Sequence, residues 1–505
     1  MLRTLYQKKH SNSLSFKVCI LFFIIGSLFT LCFAPFNFFL LVPLLMVPLF
    51  YLCLKYTPKH TAIYLFFFGL GHFLSGLYWV YTSVHIFGGA PVWAAILLMF
   101  ALVILMSSYF LIAGFIISYL CSQKNEYIII IGPSVWILIE WIRGWAFSGF
   151  PWLTIGYSQI DSFLISFAPL TGVYGVSWIL LFSSSSFLYF FLKKRKSIAS
   201  LSLIFPYILG YLILPIDWTN SFGKPIPVDI IQGGIAQDQK WKREQLPKTM
   251  EMYRKSTYES KNNTLIIWPE VAIPASTVYL KNYFQSMQEY LSDNNKTLAI
   301  GALETNHDMD GSYNSFLYFN GTDTQYYRKR HLVPFGEYFP VPDFMREWME
   351  MNNLPSFDLM QGERHQSLIK YNDEINIAAA ICYEIAFGSE QLQAFPEANL
   401  LINVSNDAWF GDSIAPHQHL QITRMRAIET GRPIIRATNN GISAFINHKG
   451  ETMKKSGQFN YEILHHSVYP RKGSTLYVAF GDTPVLLISS FLILYVLRKN
   501  LLASK

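Results

Sequence analysis

The sequence predicts two architectures in one chain: an α-helical membrane domain of about eight transmembrane helices, and an α/β layered domain inserted before the last of them. Three observations carry this. Only 14% of the 505 residues are charged, against roughly 25% in an ordinary soluble protein, while 51% are hydrophobic. The shortage of charge is local, because long apolar runs fill the chain up to about residue 216 and return over about 483–497. Between them, short β-rich runs alternate with polar, helix-compatible segments, the pattern of a layered α/β protein with mixed sheets. The expected organisation is a membrane domain over 1–216 with seven spans, a soluble-type domain over 217–482, and an eighth span with its tail over 483–505.

A bilayer-spanning helix needs about 20 mostly apolar residues. Such runs lie at about 16–34, 36–54, 61–83, 92–121, 127–142, 163–192, 198–216 and 483–498. The two longest leave room for tilt or re-entrant pieces. The first also has features of a signal peptide, with Leu31-Cys32 where a lipoprotein cleavage site would end. The small residues that precede such a cysteine are absent, however, and further spans follow closely.

Lys and Arg are retained on the cytoplasmic side of a membrane, so their distribution sets orientation. Arg3, Lys8 and Lys9 precede the first run, Lys55 and Lys59 follow the second, and Lys124 follows the fourth. Lys193, Lys194, Arg195 and Lys196 follow the sixth, and Arg498, Lys499 and Lys505 follow the last. The alternate loops are nearly free of both, Arg143 excepted. Both termini are then cytoplasmic, and the inserted domain lies on the far side, in a bacterium the periplasm. The net charge of +7 comes from these short clusters rather than from a basic face, which argues against a nucleic-acid partner.

Within 217–482 the strand candidates are Val228–Gln232, Leu265–Trp268, Thr297–Gly301, Ser315–Asn320, Ile375–Cys382, Leu400–Val404, Ile434–Ala437 and Ala444–Asn447. Helix candidates cover about 240–261, 276–293, 388–395 and 416–430. Four cysteines (Cys19, Cys32, Cys53, Cys121) sit in apolar runs, whereas Cys382 stands alone in the polar part and has no partner there for a disulfide. An isolated cysteine is more often a small buried hydrophobe than a nucleophile. Glu270 and Lys329 change that balance, although singly they read as a solvated carboxylate and a surface lysine. Each follows a strand-like or loop run, and strand ends at one sheet edge are where α/β proteins assemble their sites. A base, a cation and a thiol together form a complete set for acyl transfer.

The motifs around these residues are specific. Trp268-Pro269-Glu270, then Lys329-Arg330-His331-Leu332-Val333-Pro334-Phe335-Gly336-Glu337-Tyr338, then Cys382-Tyr383-Glu384 resemble the Glu-Lys-Cys triad motifs of the nitrilase superfamily. The closer resemblance is to its membrane-bound branch, the apolipoprotein N-acyltransferases. Gln232-Gly233-Gly234-Ile235 with Lys240-Trp241, the run Asn403–Gly411, and Pro416-His417-Gln418-His419 are further matching pieces. So are Arg424-Met425-Arg426-Ala427, Gly431-Arg432-Pro433, Glu140–Trp145 and Gly149–Trp152. The similarity covers nearly the whole chain. One departure is Gly234, where the family more often has Asn.

The resemblance implies an α-β-β-α nitrilase-like sandwich as the catalytic domain. It implies Glu270 as base, Lys329 as oxyanion partner and Cys382 as nucleophile, with the Tyr383 backbone N–H as a second donor. It further implies transfer of an acyl chain from a phospholipid, usually phosphatidylethanolamine, through a Cys382 thioester. The acceptor would be the α-amine of the N-terminal S-diacylglyceryl-cysteine of apolipoproteins, at the inner membrane, by a monomer without metal or other cofactor. Glu337 and Glu384 are supporting carboxylates on this reading, or plain hydrogen-bond acceptors. Trp241, Tyr383 and Trp409 line a lipid entrance or pack as core aromatics, and Asn406 belongs to the same set. The Met- and aromatic-rich segment 337–362 (including Phe344, Met345, Trp348, Met349, Met351 and Phe357, interrupted by Pro340, Pro342 and Pro355) reads as a mobile lid or as ordinary packing. Trp141, Trp145, Phe150 and Trp152 are expected at the outer interface. His417 and His419 lack the accompanying ligands of a metal site.

Two rivals remain at this level. A membrane-tethered amidase or nitrilase would use the same triad on a small carbon–nitrogen substrate. A non-catalytic lipid-binding or transport protein would need neither base nor thiol.

Overall fold

The computed structural model describes residues 14–306, 308–309, 311–321, 323–351 and 358–503. Its residues form two compact units. One comprises 1–217, 412–421 and 475–505, and the other comprises 218–411 and 422–474.

In the first unit each of the eight apolar runs is helical. Five helices are long and apolar enough to cross a membrane: Val92–Leu120, Asn125–Arg143, Phe163–Leu192, Lys196–Ile213 and Thr483–Ala503. Pro58–Gly76 and Trp79–Phe87 pass the same test as a pair bent by 51°, and Phe16–Cys32 and Leu41–Lys55 are shorter apolar helices. The expected count of about eight spans thus becomes five or six by length and hydropathy among the described residues. The positive residues Arg3, Lys8, Lys9 and Lys505 lie outside the described residues.

Arg143, the charge that broke the loop pattern, is buried and committed to the backbone. Its Nη1 donates to the carbonyls of Phe150 (2.7 Å) and Trp152 (2.6 Å), pinning the 150–154 turn. Trp152 is buried, and its Nε1 donates to Gln418 Oε1 at 2.7 Å. Trp145, by contrast, is exposed.

The second unit is built on two six-stranded sheets. In chain order the strands are β1 (Thr219–Ser221), β2 (Ile226–Gln232), β3 (Leu265–Trp268), β4 (Thr297–Thr305), β5 (Ser312–Asn320), β6 (Asp323–Arg328), β7 (Ile369–Lys370), β8 (Asn376–Ile381), β9 (Leu400–Ser405), β10 (Ile434–Thr438), β11 (Ala444–Ile446), β12 (Thr452–Lys455), β13 (Glu462–Val468) and β14 (Arg471–Gly473). One sheet runs β13-β2-β3-β4-β5-β6 and the other β12-β11-β10-β9-β8-β7, with β1-β14 a separate pair.

The period-two alternation decides the layers. Val228, Ile230, Leu265, Ile267 and Phe316 of one sheet meet Ile377, Ile381, Leu400, Ile402 and Ile435 of the other in a shared core. The opposite face of the first sheet (Ile231, Ile266, Trp268, Leu298) packs on Tyr253 of the Gln245–Glu259 helix and on Phe284, Met287 and Leu291 of the Lys281–Asp293 helix. Outside the second sheet, Arg436 of β10 donates to Thr423 of the Ala415–Thr430 helix. The order is α-β-β-α, as expected.

Strand direction then collects the site. β2, β3 and β4 are parallel to one another, and so are β8, β9 and β10. β6 is antiparallel to β5, which is antiparallel to β4, so β6 points the same way as β4. The segments after β3 and β6 therefore emerge at one edge of the first sheet, where Glu270 and Lys329 lie. Cys382 follows β8 at the corresponding end of the second.

Candidate active site

Cys382 is not the last residue of its strand, as the sequence suggested. β8 stops at Ile381, and Cys382 opens the 3-10 turn Cys382–Ala386 with a φ of 53°. A non-glycine residue in the left-handed region is held there against a steric cost of order 1–3 kcal/mol, a pattern common at functional sites. Val271, just after Glu270, has a φ of 43°, a larger anomaly for a β-branched side chain. Glu270 also depends on a small neighbour. A Cβ at Gly301 of β4 would fall 2.4 Å from the Glu270 Cα, so only glycine admits this approach.

Lys329 is 1% exposed. Its Nζ lies 2.7 Å from Glu337 Oε2, 2.8 Å from Glu337 Oε1 and 3.7 Å from Glu270 Oε1. Burial opposes its charge, but Glu337, then Glu270, then Cys382 outweigh that and hold the ammonium well above the ordinary lysine range. Burial pushes the Cys382 thiol up to about 12, the Glu270 charge adds to this, and Lys329 opposes it. At neutral pH roughly one such thiol in 10⁵ is ionised, so attack needs a base acting with it. Ser405 also bonds the thiol side chain.

Glu384 is fully buried and ties the two sheet ends together. Oε2 accepts from Ile381 N (2.7 Å), while Oε1 accepts from Tyr327 Oη (3.0 Å), Arg330 N (2.8 Å) and His331 N (3.2 Å). Burial raises its carboxyl, against the pull of the Ile381 N–H and Arg330. Glu337 holds its own loop as well, accepting from Val333 N at 2.9 Å.

Asn406 is buried, donating to Gln237 Oε1 at 3.0 Å and accepting from Asn439 Nδ2 at 3.3 Å. Tyr383 is half-buried, edge-on to Phe387 with centroids 4.9 Å apart. Trp241 is 53% and Trp409 38% exposed, so neither is a core aromatic. Gly234 has a φ of 63°, and a Cβ there would meet the Asn460 carbonyl carbon at 2.5 Å, so the asparagine of the family pattern does not fit this backbone. In segment 337–362, Asp343–Met351 is a helix with Phe344 and Met351 exposed. Pro355, Phe357 and the side chains of Trp348 and Met349 lie outside the described residues.

Asn314 escaped the sequence reading, and Lys240 entered it only as part of a motif, without a role. Asn314 Nδ2 donates to Glu270 Oε1 (2.7 Å) and to Glu337 Oε1 (2.9 Å). Lys240 is buried with Nζ 3.2 Å from the Glu270 carbonyl oxygen, and burial, partly offset by Glu270, lowers its amine to about 8. The available signal for Asn314 was an amide in a strand-forming run, a residue that strands disfavour unless it has a partner. Among the described residues no group of three or more His, Cys, Asp or Glu comes together as a metal cluster.

Two family models match the chain: an apolipoprotein N-acyltransferase N-terminal domain over residues 25–186, and carbon-nitrogen hydrolase over residues 229–471. The sequence is 36% identical over 465 residues to the apolipoprotein N-acyltransferase of Methylococcus capsulatus, covering 91% of this chain and 92% of the relative. It is 37% identical over 469 residues to that of Nitrosomonas europaea, covering 92% and 93%. For Vibrio cholerae the figures are 36% over 476 residues, covering 92% and 93%. With both models matched in the same order and such relatives aligned almost end to end, the chain belongs to the apolipoprotein N-acyltransferase family.

Proposed function

We propose that the protein moves an acyl chain from a phospholipid to the α-amine of the N-terminal S-diacylglyceryl-cysteine of apolipoproteins, through a thioester on Cys382. The observation that carries this reading is the Glu270–Lys329–Cys382 constellation, in a chain of this family that also has helices apolar enough to cross a membrane. Glu270 takes the thiol proton as sulfur attacks the ester carbonyl. The tetrahedral oxyanion faces Lys329 and the Tyr383 backbone N–H; such a donor typically contributes about 3–4 kcal/mol to lowering the barrier. Glu270 returns the proton to the departing glycerol oxygen, leaving lysophospholipid and thioester. The amine then attacks the thioester, and Glu270 again manages the proton.

Glu337 keeps Lys329 charged, and Glu384 fixes the turn after the nucleophile against the segment after Lys329. Trp241, Trp409 and Tyr383 offer apolar surface to an acyl chain, with Asn406 bracing the Trp409 turn. The distribution of Lys and Arg supports an inner-membrane protein with cytoplasmic termini and a periplasmic catalytic domain; a monomer using phosphatidylethanolamine as donor is the reading that membership of the family suggests. Incubation with a phospholipid carrying a labelled acyl chain should label Cys382 through a hydroxylamine-labile bond, and Cys382→Ala should remain unlabelled. Turnover of small amides without that label would instead favour a hydrolase.

A further inference from the structure

The amide of Asn314 occupies an unusual place. The residue is 2% exposed, and its one side-chain nitrogen serves two carboxylates, Glu270 Oε1 at 2.7 Å and Glu337 Oε1 at 2.9 Å. Both amide hydrogens are committed to oxygens that carry or share negative charge. Its Oδ1 is buried and has no hydrogen-bond partner among the described residues. The reversed amide would set that oxygen against two carboxylates, so the network fixes which end points inward. The main chain adds a third link, since the Lys329 N–H donates to the Asn314 carbonyl at 2.8 Å. One residue of β5 therefore touches the base, the second carboxylate and the backbone of the lysine.

The electrostatic problem at this place is clear. Two carboxylates share the buried Lys329 ammonium, which sits closer to Glu337 than to Glu270, while the buried Lys240 amine lies 3.2 Å from the Glu270 main-chain carbonyl. A neutral donor placed between the two carboxyl groups ties them together without adding a further cation. Hydrogen bonds to the ionised form of a carboxyl favour that form, and removing them favours protonation. We propose that Asn314 is a positioning residue of the acyl-transfer site: its bridging amide holds the Glu270 and Glu337 carboxyl groups side by side and orients Glu270 for the Cys382 thiol. This rests on the acyl-transfer reading, because it concerns the base of that reaction.

The test uses the full-length protein in phospholipid nanodiscs containing an acyl-labelled phospholipid. The initial rate of thioester formation on Cys382 is followed from weakly acid to weakly alkaline pH for wild type, N314L and N314D. N314L removes both donors, and its acid limb should move to higher pH by about one unit or more, with a maximal rate lower by about tenfold. The half-saturating phospholipid concentration should be unchanged. N314D adds a third carboxylate at constant volume, so its limb should move further in the same direction. It also supplies the reading if N314L fails to fold. Acid limbs that superimpose on that of wild type, whatever the amplitude, overturn the proposal and leave Asn314 a packing residue. A wild-type protein that never acquires the label sinks the acyl-transfer reading itself, and this inference with it.

Discussion

Lys329 is paired with Glu337, 2.7 Å from Oε2, while the carboxylate proposed as base stands a full ångström further away at 3.7 Å. Glu337 thus supplies the nearer countercharge to the lysine, and on the proposed reading Glu270 is left to accept from sulfur. Removing the ammonium strands two nearly buried carboxylates, and breaking a buried pair from one side costs about 3–5 kcal/mol. Lys329→Met should therefore lower the melting temperature markedly and abolish labelling of Cys382. Adding Glu337→Gln should recover much of the melting temperature but none of the labelling. A single variant as stable as wild type would contradict this charge pairing.

The high resting value of the Cys382 thiol, about 12, makes a second prediction. Glu270→Gln should slow thioester formation by about 10²–10⁴-fold, the usual contribution of a positioned base. What remains must proceed through free thiolate, whose population rises tenfold for each pH unit below that value. The residual rate of the variant should climb about tenfold per unit through neutral and weakly alkaline pH, where wild type is flat. Parallel profiles would mean that Glu270 does not take the thiol proton.

Much of this arrangement was legible in the chain. Leu265–Trp268 is a continuous apolar run, and Leu400–Val404 is one broken only by Asn403, because strands buried on both faces need no alternation; both are legible as strands. β6, β7 and β12 escaped notice because Asp323–Arg328, Ile369–Lys370 and Thr452–Lys455 are short edge or near-edge strands with polar exteriors. Missing β6 hid the reason Lys329 reaches the site, which is the direction of that strand. The three chemical groups were readable from their motifs. Of the groups that hold them, Glu337 and Glu384 were readable from the same motifs, whereas Asn314 was not, because it lies just before the predicted strand Ser315–Asn320, while the observed β5 begins at Ser312. The left-handed Cys382 had no signal either, since nothing in the residue type marks it.

Glu384 should behave as a structural element with a catalytic consequence. Its carboxylate receives four donors from the Ile381, Tyr327, Arg330 and His331 positions, on both sheet ends. Glutamine has one oxygen, so Glu384→Gln must turn an NH₂ group toward at least one backbone N–H. Hydrogen bonds to charged groups contribute about 1.5–3 kcal/mol, and the cost should be of that order. Thermal melting should fall and labelling of Cys382 should fall with it, through the turn after the nucleophile and the segment after Lys329 that the carboxylate ties together. Wild-type labelling in a folded Glu384→Gln protein would remove the proposed coupling between the two sheet ends.

Lys240 provides a test that does not involve turnover. Burial holds its amine at about 8, against about 10.4 for an exposed lysine in the unfolded chain. The folded state therefore binds the proton less tightly, and below pH 8 its charge costs about 3 kcal/mol. That cost fades as pH rises through the window from 8 to about 10.4, so this group makes stability increase with pH there. Lys240→Met removes the charge at every pH, together with the 3.2 Å bond to the Glu270 carbonyl. At neutral pH the variant should melt at or above wild type. At about pH 10, where the wild-type amine is neutral in the fold yet still donates to that carbonyl, wild type should regain the advantage. A melting difference that stays constant between the two conditions, in the same detergent, would mean that the buried amine is not the titrating group.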